Sequence, residues 1–193
     1  MKIGILGGTF DPPHVGHLIA AQDTFDALSL DKLVFIPARV PPHKQHESVT
    51  PAELRLRMVS AAIAGDDRFA VSDVELRRTG PSYTVDTLRD LAQEYPQDEL
   101  LLLVGVDQVR EFSTWREPQE VLRFAKLVML ARSGIEEAPL SGIVHMTVPV
   151  TRIDVSSTLI RARAGAGRPI RYLVPEAVEK IILAERLYSG SLG

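Results

Sequence analysis

Residues 2–17 read Lys2-Ile3-Gly4-Ile5-Leu6-Gly7-Gly8-Thr9-Phe10-Asp11-Pro12-Pro13-His14-Val15-Gly16-His17. The apolar run at 2–6 predicts a short buried strand that stops at the paired glycines, and apolar residues at helical spacing then predict a helix over 16–28. Glycines let backbone amides approach a phosphate, and a helix N-terminus adds N–H groups and a partial positive charge. This stretch therefore predicts a strand, a phosphate-binding loop and a helix, the opening unit of an α/β fold.

The rest of the chain repeats this alternation. Further strands are predicted at 33–37, 69–76, 100–106, 127–131 and 143–150, and further helices at 50–63, 83–95, 118–125, 156–164 and 175–187. Thr50 and Glu53 have the spacing of a capping box at the start of the second helix. The nearly continuous aliphatic run at 100–106 is typical of a central parallel strand covered on both faces.

This pattern predicts a single domain over 1–193. We expect an α/β architecture with a Rossmann-like, doubly wound, mostly parallel sheet, helices on both faces, and a small C-terminal helical segment at 156–193. Ligands in such sheets bind beyond the carboxyl ends of the strands. The loops that follow residues 6, 36, 104 and 150 are therefore the expected places for a site.

Composition excludes several classes of protein. The 193 residues carry a net charge of −3, whereas proteins that bind duplex nucleic acid usually have a surplus of Lys and Arg on one face. The lack of cysteine excludes disulfides, a thiolate zinc site and a cysteine nucleophile. No apolar run approaches the length of a membrane span or a signal segment. We expect a cytoplasmic protein that binds small molecules, with neither nucleic acid nor membrane among its partners.

The histidines of the first loop are the first candidates for chemistry. His14 and His17 lie three residues apart, so both imidazoles are expected to face the same anion, with Gly16 leaving room for it. Taken alone, such a pair is more often explained by a strand-to-helix turn that carries two surface histidines. The loop contains no G-x-G-x-x-G, and the chain contains no G-x-x-x-x-G-K-[ST], so neither common nucleotide motif is present.

The run from Gly8 to His17 resembles the GTFDPxHxGH signature of the nicotinate mononucleotide adenylyltransferases, a branch of the HxGH nucleotidyltransferase superfamily. Other branches, such as the pantetheine-phosphate adenylyltransferases and the cytidylyltransferases, share only the HxGH core and a later serine-rich motif. Four further motifs are similar to those of the first branch: Pro41-Pro42-His43-Lys44, Ser82-Tyr83-Thr84-Val85-Asp86-Thr87-Leu88, Gly105-Val106-Asp107 with Trp115, and Asp154-Val155-Ser156-Ser157-Thr158-Leu159-Ile160-Arg161. The resemblance thus spans nearly the whole chain. It departs from the family at Val155, where isoleucine is usual, and at Lys180-Ile181-Ile182, where an aromatic residue is expected.

The resemblance implies adenylyl transfer from ATP to nicotinate mononucleotide, by direct in-line attack and without a covalent enzyme intermediate. Mg²⁺ is expected to enter on the ATP phosphates, with no metal ligand from the protein, and association into a homo-oligomer is left open. Asp107 would hold a ribose of ATP, and Trp115 would stack on the nicotinate ring. The implied catalytic residues are His14, His17, Lys44 and Arg161; the ATP-binding residues are Gly7, Gly8, Thr9, Phe10, His17, Gly105, Asp107, Ser157, Thr158 and Arg161; the mononucleotide-binding residues are Lys44, Tyr83, Thr84 and Trp115.

Three alternatives remain. The pairs His14/His17 and His43/His46 invite a zinc site, although Asp11 is the only carboxylate near the first pair. A nucleotide sensor with the same fold would bind dinucleotide without catalysis. Within the enzyme class, the acceptor is nicotinamide mononucleotide or another phosphate compound. The stretch 83–87 holds no Lys or Arg to pair with a carboxylate, so the choice of acid over amide depends on the resemblance alone.

Overall fold

The computed structural model describes residues 1–40, 49–132 and 142–189. In these residues, six strands form one sheet in the order β3-β2-β1-β4-β5-β6, and every neighbouring pair is parallel. This is the strand order of a doubly wound α/β fold, which confirms the predicted fold class. The strands are β1 Lys2–Gly8, β2 Lys32–Pro37, β3 Phe69–Val71, β4 Glu99–Gly105, β5 Lys126–Arg132 and β6 Val144–Val150.

Helices cover both faces of the sheet. Successive side chains of a strand point to opposite faces, so the apolar side chains of one strand pack against helices on both sides. Leu102 of β4 lies in one apolar cluster with Leu88, whereas its neighbour Leu101 lies in another with Ala21 and Val59. The described part of the chain contains seven α-helices: α1 Val15–Leu28, α2 Ala52–Ala62, α3 Thr84–Glu94, α4 Val106–Arg110, α5 Pro118–Phe124, α6 Ser157–Gly165 and α7 Glu176–Ala184.

The C-terminal helices pack on α2. Ile160 of α6 and Val178 and Ile182 of α7 are buried in one cluster with Met58 of α2. This packing fixes the start of α6 close to the loop between β1 and α1. No helix in the described ranges is long and apolar enough to cross a bilayer.

The predicted strand 69–76 is wrong in its length. β3 is an edge strand of three residues that pairs only with β2. Beyond it the chain turns, because the Val74 amide donates to Ser72 Oγ at 3.3 Å and the Leu76 amide donates to the Asp73 carbonyl at 2.8 Å. The alternating apolar residues at 74 and 76 therefore belong to a turn.

Two helix predictions also need correction. The short helix α4 follows β4 directly and takes Val106, which was assigned to the strand; five residues are too few to leave a periodic pattern. At α2 the N-cap is Pro51, with no side-chain cap, so the expected capping box does not form. The Thr50 carbonyl instead accepts a hydrogen bond from Arg55 Nε at 2.8 Å.

Candidate active site

Two clefts open where the sheet reverses its strand order. The reversal lies between β1 and β4, and the loops that leave these strands diverge to opposite sides, which creates a crevice at their carboxyl ends. The clefts have volumes of about 380 and 390 Å³, and Gly7 and Gln108 line both of them. A Cβ added at Gly7 or at Gly105 would have no atom within 4 Å, so the main chain is open to a ligand at both strand ends.

The first cleft, which we call the histidine cleft, lies at the start of α1 and α6. Both helices direct their N-terminal N–H groups and partial positive charge towards it, which suits an anion. The residues that define it are Gly7, His14, Gly16, His17, Gly105, Gln108, Ser156 and Ser157.

The two imidazoles of this cleft lie against each other. Their ring centroids are 3.8 Å apart with 28° between the planes, and His14 is only 7% exposed. The His14 backbone N–H donates to His17 Nδ1 at 3.2 Å. An accepting Nδ1 leaves the proton of the neutral ring on Nε2, so His17 can donate from that atom.

The structure gives Gly16 a role other than the predicted one. A Cβ at this position would lie 3.1 Å from both Cε1 and Nδ1 of His14. The absence of a side chain at Gly16 therefore makes room for the His14 ring, while Gly16 also lines the cleft. Gly8 serves Phe10 in the same way, since an added Cβ would lie 2.9 Å from Phe10 Cζ.

Phe10 is a buried residue that packs against the His17 ring. It is 2% exposed, lines neither cleft, and meets the His17 ring edge to face at a centroid distance of 5.0 Å. Gly8 and Thr9, expected with Phe10 among the ATP contacts, line the second cleft instead. The residues of the loop that line the histidine cleft are therefore Gly7 and those at the start of α1.

Helix α6 is fastened to the same loop. Ser156 Oγ accepts from the Leu159 amide at 3.1 Å, which confirms the predicted helix cap. Ser157 Oγ donates to the Pro12 carbonyl at 2.9 Å, and the Arg161 guanidinium donates to the Asp11 carbonyl at 2.8 Å. The side chain of Arg161, in α6, thus contacts the loop that carries the histidines. The phosphate-site prediction requires this proximity.

Four further predicted residues line neither cleft or cannot be placed, and Arg161, which contacts the loop through Asp11, is the first of them. Thr158 is exposed and accepts from Arg161 at 3.4 Å without lining either cleft. The Asp107 side chain is 96% exposed on α4, with a carboxylate oxygen 3.5 Å from Arg110, and it too lines neither cleft. Lys44 lies outside the described residues.

The second cleft, which we call the aromatic cleft, lies beyond β1 and β2 on the side of α3. Tyr83, Thr84 and Trp115 all line it, so the structure brings together the three described residues predicted to bind the mononucleotide. The Trp115 ring lies 5.2 Å from that of Phe112, a buried residue that supports it. Flat side chains at the mouth of an apolar cleft suit a planar ring.

The aromatic cleft also contains two charged residues that the sequence analysis missed. Glu75 is 8% exposed, and its Oε1 accepts from Thr87 Oγ1 at 2.6 Å. Burial raises the pKa of Glu75 above its usual range, and hydrogen bonds from Thr87 and Ser82 oppose this shift only in part. Arg116 places its guanidinium carbon 4.9 Å from the centroid of the Tyr83 ring.

A third missed residue, Arg55, holds the base of the site. It is 1% exposed and donates to the carbonyls of Thr9 at 2.7 Å, Thr50 at 2.8 Å and Arg39 at 3.1 Å. Burial lowers its pKa, while the negative charge of Asp11 acts in the opposite direction. Arg55 could have been identified from the sequence by one feature only, namely that it is a charged residue next to the apolar positions of α2.

Within the ranges that the structure describes, no group of three or more His, Cys, Asp or Glu side chains is placed to hold a metal ion. His43 and His46, which the zinc alternative needs, lie outside those ranges.

Comparison with known proteins agrees with this arrangement. The family model described as cytidylyltransferase-like matches residues 5–163. A relative from Geobacillus kaustophilus, named "Probable nicotinate-nucleotide adenylyltransferase", is 45% identical over 192 residues, which cover 100% of this chain and 88% of the relative. A relative of the same name from Thermus thermophilus is 48% identical over 190 residues, covering 97% of this chain and 100% of the relative.

A solved structure shows the same fold. The Plasmodium falciparum nicotinic acid mononucleotide adenylyltransferase complexed with NaAD aligns with a TM-score of 0.77 at 16% identity, over 97% of each chain. At that identity the likeness concerns the fold alone, whereas the match to the family model and the full-length relatives decide the family. The chain belongs to the cytidylyltransferase-like family and, within it, to the nicotinate-nucleotide adenylyltransferases.

Proposed function

We propose that the chain transfers the adenylyl group of ATP to the phosphate of nicotinate mononucleotide, which forms nicotinate adenine dinucleotide and releases pyrophosphate. The observation that carries the proposal is the junction of the two clefts at Gly7. One cleft has imidazoles and helix N-termini that suit phosphates, and the other has aromatic side chains that suit a pyridine ring. Substrates bound in them would meet over open main chain.

ATP is proposed to occupy the histidine cleft. His17 would donate from Nε2 to a phosphate oxygen, and the N-terminal amides of α6 at Ser157 and Thr158 would receive the β and γ phosphates. Arg161 lies beside them through its bond to the Asp11 carbonyl. Lys44 and Asp107 remain predictions from the resemblance, for the phosphates and for a ribose.

The transfer needs neither a base nor a covalent enzyme intermediate. The second pKa of a phosphate monoester is about 6, so the acceptor phosphate is mostly a dianion at neutral pH. One of its oxygens bonds to the α-phosphorus of ATP as the bond to the bridging oxygen breaks on the opposite side, and pyrophosphate leaves with that electron pair. The protein holds the partners in line and neutralises the charge on the equatorial oxygens.

Mg²⁺ is proposed to enter on the ATP phosphates. Magnesium prefers oxygen ligands and is often bound through substrate phosphates. The described residues that line the histidine cleft offer imidazoles, hydroxyls and amides but no carboxylate, and this donor set suits an ion held chiefly by the nucleotide. When bound there, the ion supplies countercharge to the transferring group.

We further propose that the chain works as one domain in the cytoplasm, with small molecules as its substrates. Assembly into a homo-oligomer stays an open prediction, and light scattering of the purified protein would decide it.

The function is tested by incubating the protein with ATP, Mg²⁺ and one mononucleotide at a time. We expect pyrophosphate to appear fastest with nicotinate mononucleotide. Fastest release with nicotinamide mononucleotide would change the proposed acceptor, and release only with phosphopantetheine or a sugar phosphate would move the activity to another branch. Binding of dinucleotide by calorimetry without any pyrophosphate release would favour the sensor.

A further inference from the structure

We propose that Arg116 binds the carboxylate of the acceptor and thereby determines the preference for nicotinate mononucleotide over nicotinamide mononucleotide. The inference rests on the proposed function and deepens it. The two acceptors differ at one group, a carboxylate in the acid and a neutral amide in the other. A residue that favours the acid must therefore present positive charge at the pyridine end of the site.

Arg116 lies at that end. It follows Trp115 in sequence and lines the aromatic cleft together with Trp115, Tyr83 and Thr84. Its guanidinium carbon lies over the Tyr83 ring, 4.9 Å from the ring centroid. A guanidinium held over a ring face can still use its N–H donors for hydrogen bonds to a ligand.

Arg116 is also the one cationic side chain among the described residues that line this cleft. The other charged group in the lining is the buried carboxyl of Glu75. Two more carboxylates, those of Asp86 and Glu117, lie beside the cleft. Without Arg116 the walls would repel an acidic ligand, since like charges at close range disfavour binding.

The donors of Arg116 are only loosely engaged. Its nitrogens lie 3.7 Å from Asp86 and 3.5 Å from Glu117, which is longer than a normal hydrogen bond, and its side chain is 52% exposed. Arg89 makes the shorter contact to Asp86, at 2.7 Å, and does not line the cleft. Arg116 can therefore turn its fork of donors to a ligand carboxylate, a geometry for which two parallel hydrogen bonds are favoured.

The test compares three variants by steady-state pyrophosphate release with each mononucleotide. Arg116→Gln keeps much of the side chain and removes the charge, Arg116→Lys keeps the charge, and Arg89→Gln is a matched control that meets the same two carboxylates from outside the cleft. For Arg116→Gln we expect kcat/KM with the acid to fall about tenfold to a hundredfold, chiefly through KM, and kcat/KM with the amide to change less than about twofold. Arg116→Lys should retain part of the preference, and Arg89→Gln all of it.

The outcomes separate this inference from the proposed function. If the wild-type protein turns over the acid but Arg116→Gln keeps the wild-type ratio of acid to amide, Arg116 does not set the preference and the function stands. An equal loss with both acceptors has the same meaning, because it places Arg116 in folding or in ATP binding. If the wild-type protein uses neither mononucleotide, the proposed function and this inference both fail.

Discussion

The two clefts of the site are built in different ways. The histidine cleft draws most of its polar groups from two contiguous segments, the loop 7–17 and the start of α6, with Gly105, Gln108 and Thr151 beside them. The aromatic cleft draws its distinctive side chains from three separate parts of the chain: Glu75 follows β3, Tyr83 precedes α3, and Trp115 and Arg116 lie between α4 and α5.

This difference predicts a different role in catalysis for each cleft. Main-chain amides, helix N-termini and imidazoles recognise phosphate whatever is attached to it, so the histidine cleft should govern the rate with any acceptor. Side chains assembled by the fold recognise the shape and charge of a ring, so the aromatic cleft should govern which acceptor is used. A substitution in the histidine cleft should change the rate with every acceptor, whereas a substitution in the aromatic cleft should change which acceptor is preferred.

The largest effect is expected for His17→Ala. The variant removes a donor from the transferring phosphates, and loss of one such donor typically lowers kcat on the order of 10²–10³-fold. The loss should be the same with either mononucleotide. Single-turnover rates with both acceptors measure it, and His145→Ala, on the exposed part of β6, should retain full activity. A loss of activity with only one of the two acceptors would place His17 in acceptor recognition and would contradict the different roles predicted for the two clefts.

The next effect comes from two glycines of β1. A methyl group at Gly7 meets no atom within 4 Å and enters the space shared by the clefts, so Gly7→Ala should lower kcat/KM by about ten- to a hundredfold at unchanged Tm. A methyl group at Gly4 would lie 2.6 Å from Leu30 Cδ1 in the core, so Gly4→Ala should lower stability by about 1–3 kcal/mol. Kinetics and thermal melting separate the two, and a stability loss in Gly7→Ala would refute the open-space assignment.

The sequence predicted the segments that form the histidine cleft and the aromatic-cleft residues Tyr83, Thr84 and Trp115, but it missed the charged side chains of the aromatic cleft, for a physical reason. A loop between a strand and a helix is local, so its glycines, imidazoles and helix cap can be recognised from neighbouring residues, and Ser156 caps α6 as expected. Alternating strands and helices likewise predicted the doubly wound sheet. Local patterns failed where one pattern fits two structures, as in the turn after β3, or where an element is as short as α4.

The charged residues of the aromatic cleft show which site residues cannot be predicted from local sequence patterns. Glu75 and Arg116 are separated by 41 positions and are brought to one cleft only by the packing of α3 and the segment after α4. Glu75 has no predicted site residue beside it in sequence, and although Arg116 follows Trp115, its position over Tyr83 is not a local feature. The stretch 83–87 contains no cation, whereas the structure places Arg116 over Tyr83.

Trp115→Ala should have a smaller effect that belongs to the aromatic cleft alone. Loss of a stacking platform costs about 1–3 kcal/mol for a base on an aromatic side chain, so we expect KM for the mononucleotide to rise about tenfold. KM for ATP should stay within about twofold of the wild-type value. Tyr172→Ala, an exposed aromatic residue outside both clefts, serves as the control. An equal rise in both KM values would contradict the separation of the clefts.

The smallest effect concerns stability and arises from the buried acid of the aromatic cleft. Burial raises the pKa of Glu75 in the folded protein, so the folded state keeps a proton that the unfolded chain has already lost. The contribution of Glu75 to the stability of the wild-type protein therefore falls as pH rises, across a window that opens near the usual glutamate pKa of about 4.3 and closes at the folded value above it. Below that window both states are protonated, and the residue has no such effect.

Glu75→Gln should abolish this penalty while its amide oxygen still accepts from Thr87 Oγ1. Melting curves of variant and wild type from pH 4 to pH 8 should show a Tm difference that grows across the window in favour of the variant and then becomes constant. Exposed acids with lowered pKa values act in the opposite direction in both proteins and cancel in the difference; they are Asp66, Asp73, Glu99 and Glu176. A Tm difference independent of pH would mean that Glu75 ionises as readily in the cleft as in water, and the aromatic cleft would then be as polar as its neighbour.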